Sequence, residues 1–160
     1  AAENGGNRDD PKLFCGSYVL LGRYPSSKFR RKRGSQISPV KDAIDYGMKY
    51  TFHQDTPVIP PDMMRTISSA VNRISRGGRV IGENQKISVL DALKAVTIYA
   101  AYQYFEEHEK GSIECGKYAD FVVLEKNPLK TPKEELAEIK VWMTIKENEV
   151  IYRSGEANHE

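Results

Sequence analysis

The clearest pattern of apolar and polar positions lies just before the middle of the chain. Ser38 is the predicted N-cap of a short helix over Val40–Tyr46, and Gly47 is placed to end that helix. The apolar segment that follows, Met48–His53, predicts a buried strand, which must end before Pro57. A helix, a glycine and a strand in this order are half of a β/α repeat.

Two longer helices are predicted after the proline-rich loop TPVIPPD. Asp62 is placed to cap the first, which runs to about Ser75. Ser88 begins the second and longest helix, with Asp91 in the capping-box position three residues later. An apolar face at helical spacing carries this helix to about Glu107 and buries one side of it. The members of that face are Val89, Leu93, Val96, Ala100 and Tyr104.

Strands are predicted near both ends of the chain. Residues 13–22, LFCGSYVLLG, are apolar enough for a buried strand. Towards the carboxyl end Phe121–Leu124 predicts another strand, and Glu134–Ile139 predicts one or two helical turns. The alternating sequence KVWMTIKENEVIY predicts a β-hairpin that turns near Glu147–Asn148. The β/α elements therefore come first, and a small antiparallel piece comes last.

Composition and charge narrow the class of protein. Of the 160 residues, 39% are hydrophobic and 29% are charged, which is typical of a soluble globular domain. The net charge is +2, but residues 1–80 hold 14 Lys or Arg and 7 Asp or Glu, whereas residues 81–160 hold 10 and 15. Part of the excess is the basic run KFRRKR, Lys28–Arg33. We interpret it as an exposed loop, because no aromatic ladder follows it to stack nucleic-acid bases; contact with nucleic acid or an anionic ligand is the alternative.

Other features favour the cytoplasm. The amino-terminal sequence AAENGGNRDDPK is polar and lacks the apolar core of a signal peptide, and no run approaches the ~18–20 apolar residues of a membrane helix. Cys15 and Cys115 lie far apart without paired spacing, which favours unpaired thiols in a reducing compartment.

The candidate functional residues lie at the end of the predicted strand, in the sequence TFHQDTPV. His53 and Asp55 are two residues apart, so on a continuing strand their side chains would share one face. An alternative stays open for each residue. Asp55 also suits a turn in which its carboxylate bonds the backbone before Pro57, and His53 also suits a hydrogen-bonded core position.

Three longer segments carry a family resemblance. The first is ISPVKDAIDYGMKYTFHQDTPVIPPD, and the second is AVNRISRGGRVIGENQKISVLDALKAVTIYAAY. The third consists of KGSIECGKYADFVVLEKNPL and IKVWMTIKENEVIY. In this order, over roughly residues 36–152, they resemble the C-terminal part of the amidohydrolase superfamily. The branch is amidohydrolase family 3, which includes N-substituted formamide deformylases.

The resemblance implies an α/β fold, in which the last β/α units of a (β/α)8 metal-dependent hydrolase barrel are followed by strands of a small β-sandwich domain. Residues 1–36 would form an amino-terminal tail, a strand and the basic loop. Residues 37–110 would form the last barrel units, residues 111–153 the strands of the small β-domain, and residues 154–160 a tail.

The resemblance also implies an activity, the hydrolysis of amide-type C–N bonds by water that a divalent metal, zinc, activates. Asp55 stands where the family places the Asp that closes the eighth strand, which binds the metal and shuttles the proton of the attacking water. His53 is expected beside the metal, in contact with substrate. Asn72 and Arg73 are further candidates for substrate contact, with a polar helix face and an ion pair as the alternative.

The chain departs from the family in its histidines. The family's other ligands are a His-x-His on the first strand, a bridging carboxylated Lys or Glu, and two more histidines. This chain has only His53, His108 and His159. A catalytic zinc uses about three protein ligands and a water. We therefore expect a fragment that is inactive and binds no metal stably by itself.

The expected partners follow from this departure. The complete enzyme would take a small amide-type substrate. This chain would need the missing amino-terminal part of the barrel or self-association, because two or three parallel strands leave an unpaired edge. No membrane is expected, and nucleic-acid binding through the basic run is the weaker alternative. The alternative function is a non-catalytic domain that stands alone and acts in binding or oligomerisation.

Overall fold

The computed structural model describes residues 13–17, 36–57, 59–75 and 77–155. The predicted basic loop Lys28–Arg33 lies outside the described residues, as do the part of the predicted first strand beyond Ser17 and most of both predicted tails. None of the described helices is long and apolar enough to cross a membrane.

Two parallel strands form the edge at which the candidate chemistry lies. β1 (Leu13–Ser17) pairs in parallel with β2 (Lys49–His53), and the register places Ser17 opposite His53. β2 begins one residue later than the predicted strand and ends at the predicted residue. Because the strands are parallel, their carboxyl ends meet at the same edge of the pair.

The helix before β2 has nearly its predicted bounds. α1 covers Val40–Asp45, and Gly47 ends it with a left-handed φ of +70°. The predicted N-cap was wrong by one residue. Pro39 takes that position, and Ser38 before it has a left-handed φ of 51°.

α2, Met63–Asn72, begins as predicted and ends early. The Asp62 carboxylate accepts a hydrogen bond of 2.9 Å from the backbone N–H of Arg65, which satisfies one of the free donors of the first turn. The helix stops three residues before the predicted end at Ser75. Arg73 causes the stop, since it takes a left-handed φ of 55°.

The predicted single helix from Ser88 to Glu107 is wrong, because two helices take its place. α3 covers Val89–Ala95 and α4 covers Ile98–Gln103. The break falls within three consecutive β-branched residues, which lose rotamer freedom in a helix. At the break the Thr97 hydroxyl donates a hydrogen bond of 2.8 Å to the carbonyl oxygen four residues earlier, an interaction that competes with regular helix geometry.

The start of α3 confirms its cap, whereas the end of α4 departs from the predicted apolar face. The Ser88 hydroxyl accepts a 3.1 Å hydrogen bond from the backbone N–H of Asp91, as predicted. Tyr104, predicted to lie in the core, is 71% exposed. The apolar face predicted for one long helix therefore does not bury its last member.

The core packs β2 against the helices. The rings of Tyr50 and Phe52 lie 5.8 Å apart, and the Tyr50 hydroxyl donates a hydrogen bond of 3.1 Å to the carbonyl oxygen of Asp91 on α3. The other buried residues of this core come from the helices and from one later segment. They include Val40, Ile67, Val71, Ala92, Leu136 and Ile139.

Short 3-10 helices connect the main elements. One covers Glu83–Gln85, and the Gln85 amide donates a 2.7 Å hydrogen bond to the Asp42 carboxylate on α1. Another covers Lys133–Glu138, within one residue of the helical turns predicted there, and it buries Leu136 in the core. These segments bring the second half of the chain against the β2 unit.

The last strands form an antiparallel sheet in the order β3-β4-β5. β3 covers Phe121–Leu124, β4 covers Val141–Lys146 and β5 covers Glu149–Arg153. The predicted hairpin turn is confirmed, because Glu147 and Asn148 both have positive φ, as a two-residue turn of type I′ requires.

Candidate functional site

The side chains at the carboxyl end of β2 alternate between solvent and core. His53 and Asp55 are exposed, whereas Gln54 between them is only 6% exposed. Tyr50 and Phe52 share the buried face with Gln54 and pack in the core. The imidazole and the carboxylate are therefore open to a ligand at the edge where the two parallel strands end.

The backbone turns sharply at Asp55. Its φ of 57° lies in the left-handed region, which Asp tolerates better than most residues. No hydrogen bond or ion pair joins its carboxylate to any other residue that the structure describes. The turn that follows is held instead by the Thr56 hydroxyl, which donates a 3.2 Å hydrogen bond to the carbonyl of Ile59. The described contacts thus give no support to the alternative of a turn-bonding carboxylate.

These side chains do not form a complete metal site by themselves. Within the described ranges, no three His, Cys, Asp or Glu residues come together in a group that could hold a metal ion. A catalytic zinc needs about three protein ligands. A metal at this edge would therefore require ligands from beyond the described residues.

No contact between described residues brings Asn72 or Arg73 to the end of β2. The Asn72 amide donates hydrogen bonds to the Ser68 hydroxyl, at 3.1 Å, and to the Lys133 carbonyl, at 2.6 Å. Both contacts are to the protein itself. The prediction that Asn72 binds substrate stays a prediction.

Arg73 is fully buried and is bonded to the backbone of two distant segments. Its guanidinium donates to the carbonyls of Ile81, at 2.6 Å, Ser38, at 3.1 Å, and Ile37, at 2.7 Å. These carbonyls do not neutralise the guanidinium charge, but each contact pairs a buried N–H donor of Arg73 with a backbone oxygen. They give Arg73 a structural role, joining the end of α2 to the segment before α1. Its predicted contact with substrate also stays a prediction.

The remaining reactive side chains lie elsewhere. His108 is exposed, with its Nε2 3.8 Å from the Glu107 carboxylate, and Cys115 is an exposed free cysteine. His159 lies outside the described residues. Neither described side chain belongs to the edge formed by β1 and β2.

Gln54 was absent from the predicted site residues, although the pattern of β2 contains the signal. A polar side chain on a buried strand face must find a hydrogen-bonding partner. The Gln54 Nε2 donates to the Thr66 hydroxyl, at 2.8 Å, and points to the sulfur of Met63, at 3.2 Å. The end of β2 is thereby bonded to the first turns of α2.

A large groove of about 1150 Å³ lies between the helices and the antiparallel sheet. Neither His53 nor Asp55 lines it. The lining is mainly apolar and includes Met63, Ile67, Leu93, Ala100, Phe121 and Tyr152. The groove and the candidate chemistry are thus separate features of the molecule.

Comparison with known structures bears on the fold. A 5-methylcytosine deaminase from Klebsiella pneumoniae superposes with a TM-score of 0.60 at 19% identity, over 92% of this chain and 35% of that one. A metal-dependent hydrolase from Pyrococcus horikoshii superposes with a TM-score of 0.57 at 21% identity, over 74% of this chain and 25% of that one. The fold is therefore one that these enzymes contain.

Comparison of sequences gives the family. The N-substituted formamide deformylase of Arthrobacter pascens is 28% identical over 121 residues, which are 75% of this chain and 22% of that protein. The chain thus spans about a fifth of the length of this curated relative. The model of the amidohydrolase family matches residues 20–152, most of the sequence. The chain belongs to the amidohydrolase family.

Proposed function

We propose that this chain is the C-terminal part of a metal-dependent hydrolase of amide-type C–N bonds, in which Asp55 is a metal ligand and the group that accepts a proton from the attacking water. The observation that carries the proposal is an exposed carboxylate at the carboxyl end of a parallel strand, in a chain of the amidohydrolase family. Family membership favours this function over that of a non-catalytic binding domain.

The parallel pair supports a barrel as the setting. In a (β/α)8 barrel the strands are parallel, and side chains at their carboxyl ends converge on one mouth. β1 and β2, joined through α1, have the pairing of two such neighbouring strands. We propose that they are the last strands of this barrel and that β3, β4 and β5 belong to the small β-domain after it.

The fit to a metal is partial. A divalent cation, for which we propose zinc, would polarise the water that attacks the amide carbon. The chemistry of Asp55 suits a ligand, since carboxylate oxygen binds zinc, and its exposure leaves the oxygen atoms accessible. We propose that the remaining ligands lie beyond the described residues, so that the described residues alone are inactive.

His53 is proposed to contact the substrate from the same edge. Its exposure beside Asp55 supports this role. A small amide is the proposed substrate class, in keeping with the relative named as a formamide deformylase. A neutral imidazole has one donor and one acceptor nitrogen, which suits an amide with its carbonyl oxygen and N–H group.

Metal binding at Asp55 can be tested on this chain. We would titrate Co²⁺ into the isotope-labelled protein and record paramagnetic changes in its NMR spectrum. The signals of His53 and Asp55 should change first, and Asp55→Asn should abolish that preference. Asp62→Asn is the matched control, because Asp62 is also an exposed carboxylate near β2 and Asn still caps a helix.

Activity tests the same residue in an enzyme that contains this sequence together with the other ligands. Asp55→Asn should lower kcat about 10²- to 10⁴-fold, the usual contribution of a positioned acid or base. Cobalt effects that spread evenly over exposed carboxylates, or full amide hydrolysis by the Asn variant, would contradict the proposal.

A further inference from the structure

We propose that Gln54 is a positioning residue, whose buried hydrogen bond to α2 fixes the loop that carries Asp55. The inference rests on the proposed function, because Asp55 is the group that is positioned. Gln54 itself does not reach the solvent edge, since its side chain points to the opposite face from His53.

The link consists of two hydrogen bonds in series. The Gln54 Nε2 donates to the Thr66 hydroxyl at 2.8 Å, and that hydroxyl donates to the carbonyl oxygen of Asp62 at 2.8 Å. Gln54 and Thr66 are both buried, so neither can exchange its partner for water at low cost. In such surroundings a satisfied network is rigid, because any displacement leaves a polar group unpaired.

This link ties together the two ends of the loop that contains Asp55. Gln54 directly precedes Asp55, and Asp62 is the residue that caps α2 at the far end of the loop. Asp55 adopts a left-handed backbone conformation, which is strained for a residue with a Cβ and persists only where the surroundings hold it. The hydrogen bonds from Gln54 to Thr66 and from Thr66 to Asp62 are the part of the surroundings that holds it.

Two substitutions remove the link with little change in side-chain shape. Thr66→Val replaces the hydroxyl by a methyl group, and Gln54→Leu removes the amide. Thr66→Ser is the matched control, because it keeps the hydroxyl and loses only a methyl group. Using both sites keeps the test informative if one variant fails to fold.

The first measurement is the backbone order parameter from ¹⁵N relaxation. In Thr66→Val and Gln54→Leu, the order parameters of Asp55 and Thr56 should fall from about 0.85 towards 0.6, whereas Thr66→Ser should keep them. The core amides of Val71 and Ala95 should not change in any variant. Equal loss of order in the core and the loop, or no loss in either, would overturn the positioning role.

The second measurement is Co²⁺ affinity at Asp55, followed by NMR as above. Thr66→Val should weaken it about tenfold, the lower end of what supporting groups behind a metal ligand contribute, and Thr66→Ser should not. Unchanged affinity in the Val variant would overturn the inference. If the unsubstituted protein shows no cobalt effect at Asp55 and the Asp55→Asn variant of the complete enzyme keeps full activity, the proposed metal role fails, and the order parameters alone decide whether Gln54 positions the loop.

Discussion

The two halves of the described structure bury their apolar residues to very different degrees. Around β2, the strand and its helices enclose a core in which residues such as Tyr50 and Ile67 are almost completely inaccessible. In the antiparallel sheet every residue of β5 is exposed, and apolar side chains of all three strands, including Val122, Trp142 and Ile151, face solvent among the described residues. The β2 unit is held by its own packing, whereas the sheet is held mainly by hydrogen bonds between its strands.

The difference explains why the candidate chemistry lies where it does. Asp55 and His53 stand on the edge of the well-packed half, where buried neighbours such as Gln54 fix the backbone beneath them. A functional group gains precision from a rigid support. The antiparallel sheet, by contrast, exposes apolar side chains to the groove and to solvent, and its strands do not pack on a comparable buried core.

The sharpest test of this comparison is a pair of truncations. Leu136→Ala removes a side chain with no exposed surface from the core beside α2, and it should lower the free energy of unfolding by about 2–5 kcal/mol. Ile151→Ala in β5 should change it by no more than about 0.5 kcal/mol, because Ile151 is 59% exposed. Urea denaturation followed by circular dichroism measures both. Similar losses in the two variants would break the comparison.

A smaller effect is expected at the junction between the two halves. Gly111 has a φ of +91°, and a Cβ there would lie 2.8 Å from the Cβ of Ala101 and 2.9 Å from the Cα of Ile98. Gly116 has the same φ of +91° but has no atom within 4 Å of such a Cβ. Both Ala variants should lose stability, because a residue with a Cβ is strained at this positive φ. Gly111→Ala should lose about 1–3 kcal/mol more, from overpacking against α4.

The Gly116→Ala variant is the control for backbone strain in that experiment, since the two glycines differ only in the space around them. Thermal or urea unfolding gives the difference between the two variants. If the two variants are equally stable, the loop around Gly111 is free to move away from α4, and the junction is looser than the structure indicates.

The smallest effect concerns charge in the exposed half. The Ser112 hydroxyl donates a hydrogen bond to the Glu114 carboxylate, and this bond, together with the nearby Lys117 ammonium, lowers the pKa of Glu114. Ser112→Ala should raise that pKa towards its ordinary value, as followed by NMR titration of the Glu114 carboxyl carbon. Ser68→Ala on α2 should leave it unchanged.

The sign of the accompanying effect on stability follows from the direction of the shift. A carboxyl whose pKa is lower in the folded state stabilises the fold above its unfolded pKa, and this contribution disappears as the pH falls through the folded pKa. Acid should therefore remove the contribution of Glu114 to the free energy of unfolding. Because Ser112→Ala brings the folded pKa closer to the unfolded pKa, this stabilisation should be lost over a narrower pH range. Because Glu114 is fully exposed, the change should be small.

Signals that act over a few residues predicted the elements around β2 well. Gly47 ends α1, Asp62 caps α2 and Ser88 caps α3, because each of these roles depends on the residue and its immediate neighbours. The turn at Glu147 and Asn148 follows the same rule. The family resemblance rested on the same stretches and is confirmed by the family match over residues 20–152.

Two kinds of feature were missed: one in which local signals conflict, and one that depends on partners elsewhere in the chain. Val96, Thr97 and Ile98 are weak helix formers, and the helix breaks at these residues. The apolar periodicity continues through them, so it predicted one helix where the structure has two. The sequence did not indicate that Arg73 is buried against carbonyls from residues 37, 38 and 81. Nothing near Arg73 in sequence marks these partners.

The sequence by itself determined the order of the elements, most of their ends and the position of Asp55 directly after a strand, because caps, turns and strand alternation are local properties of the chain. The tertiary structure decided which polar side chains are buried and what they bond. Gln54 meets Thr66, and Arg73 meets the carbonyls of Ile37, Ser38 and Ile81, only when the chain has folded. The physical reason is that a buried polar group must be paired, and its partner is set by packing in space and not by distance along the chain.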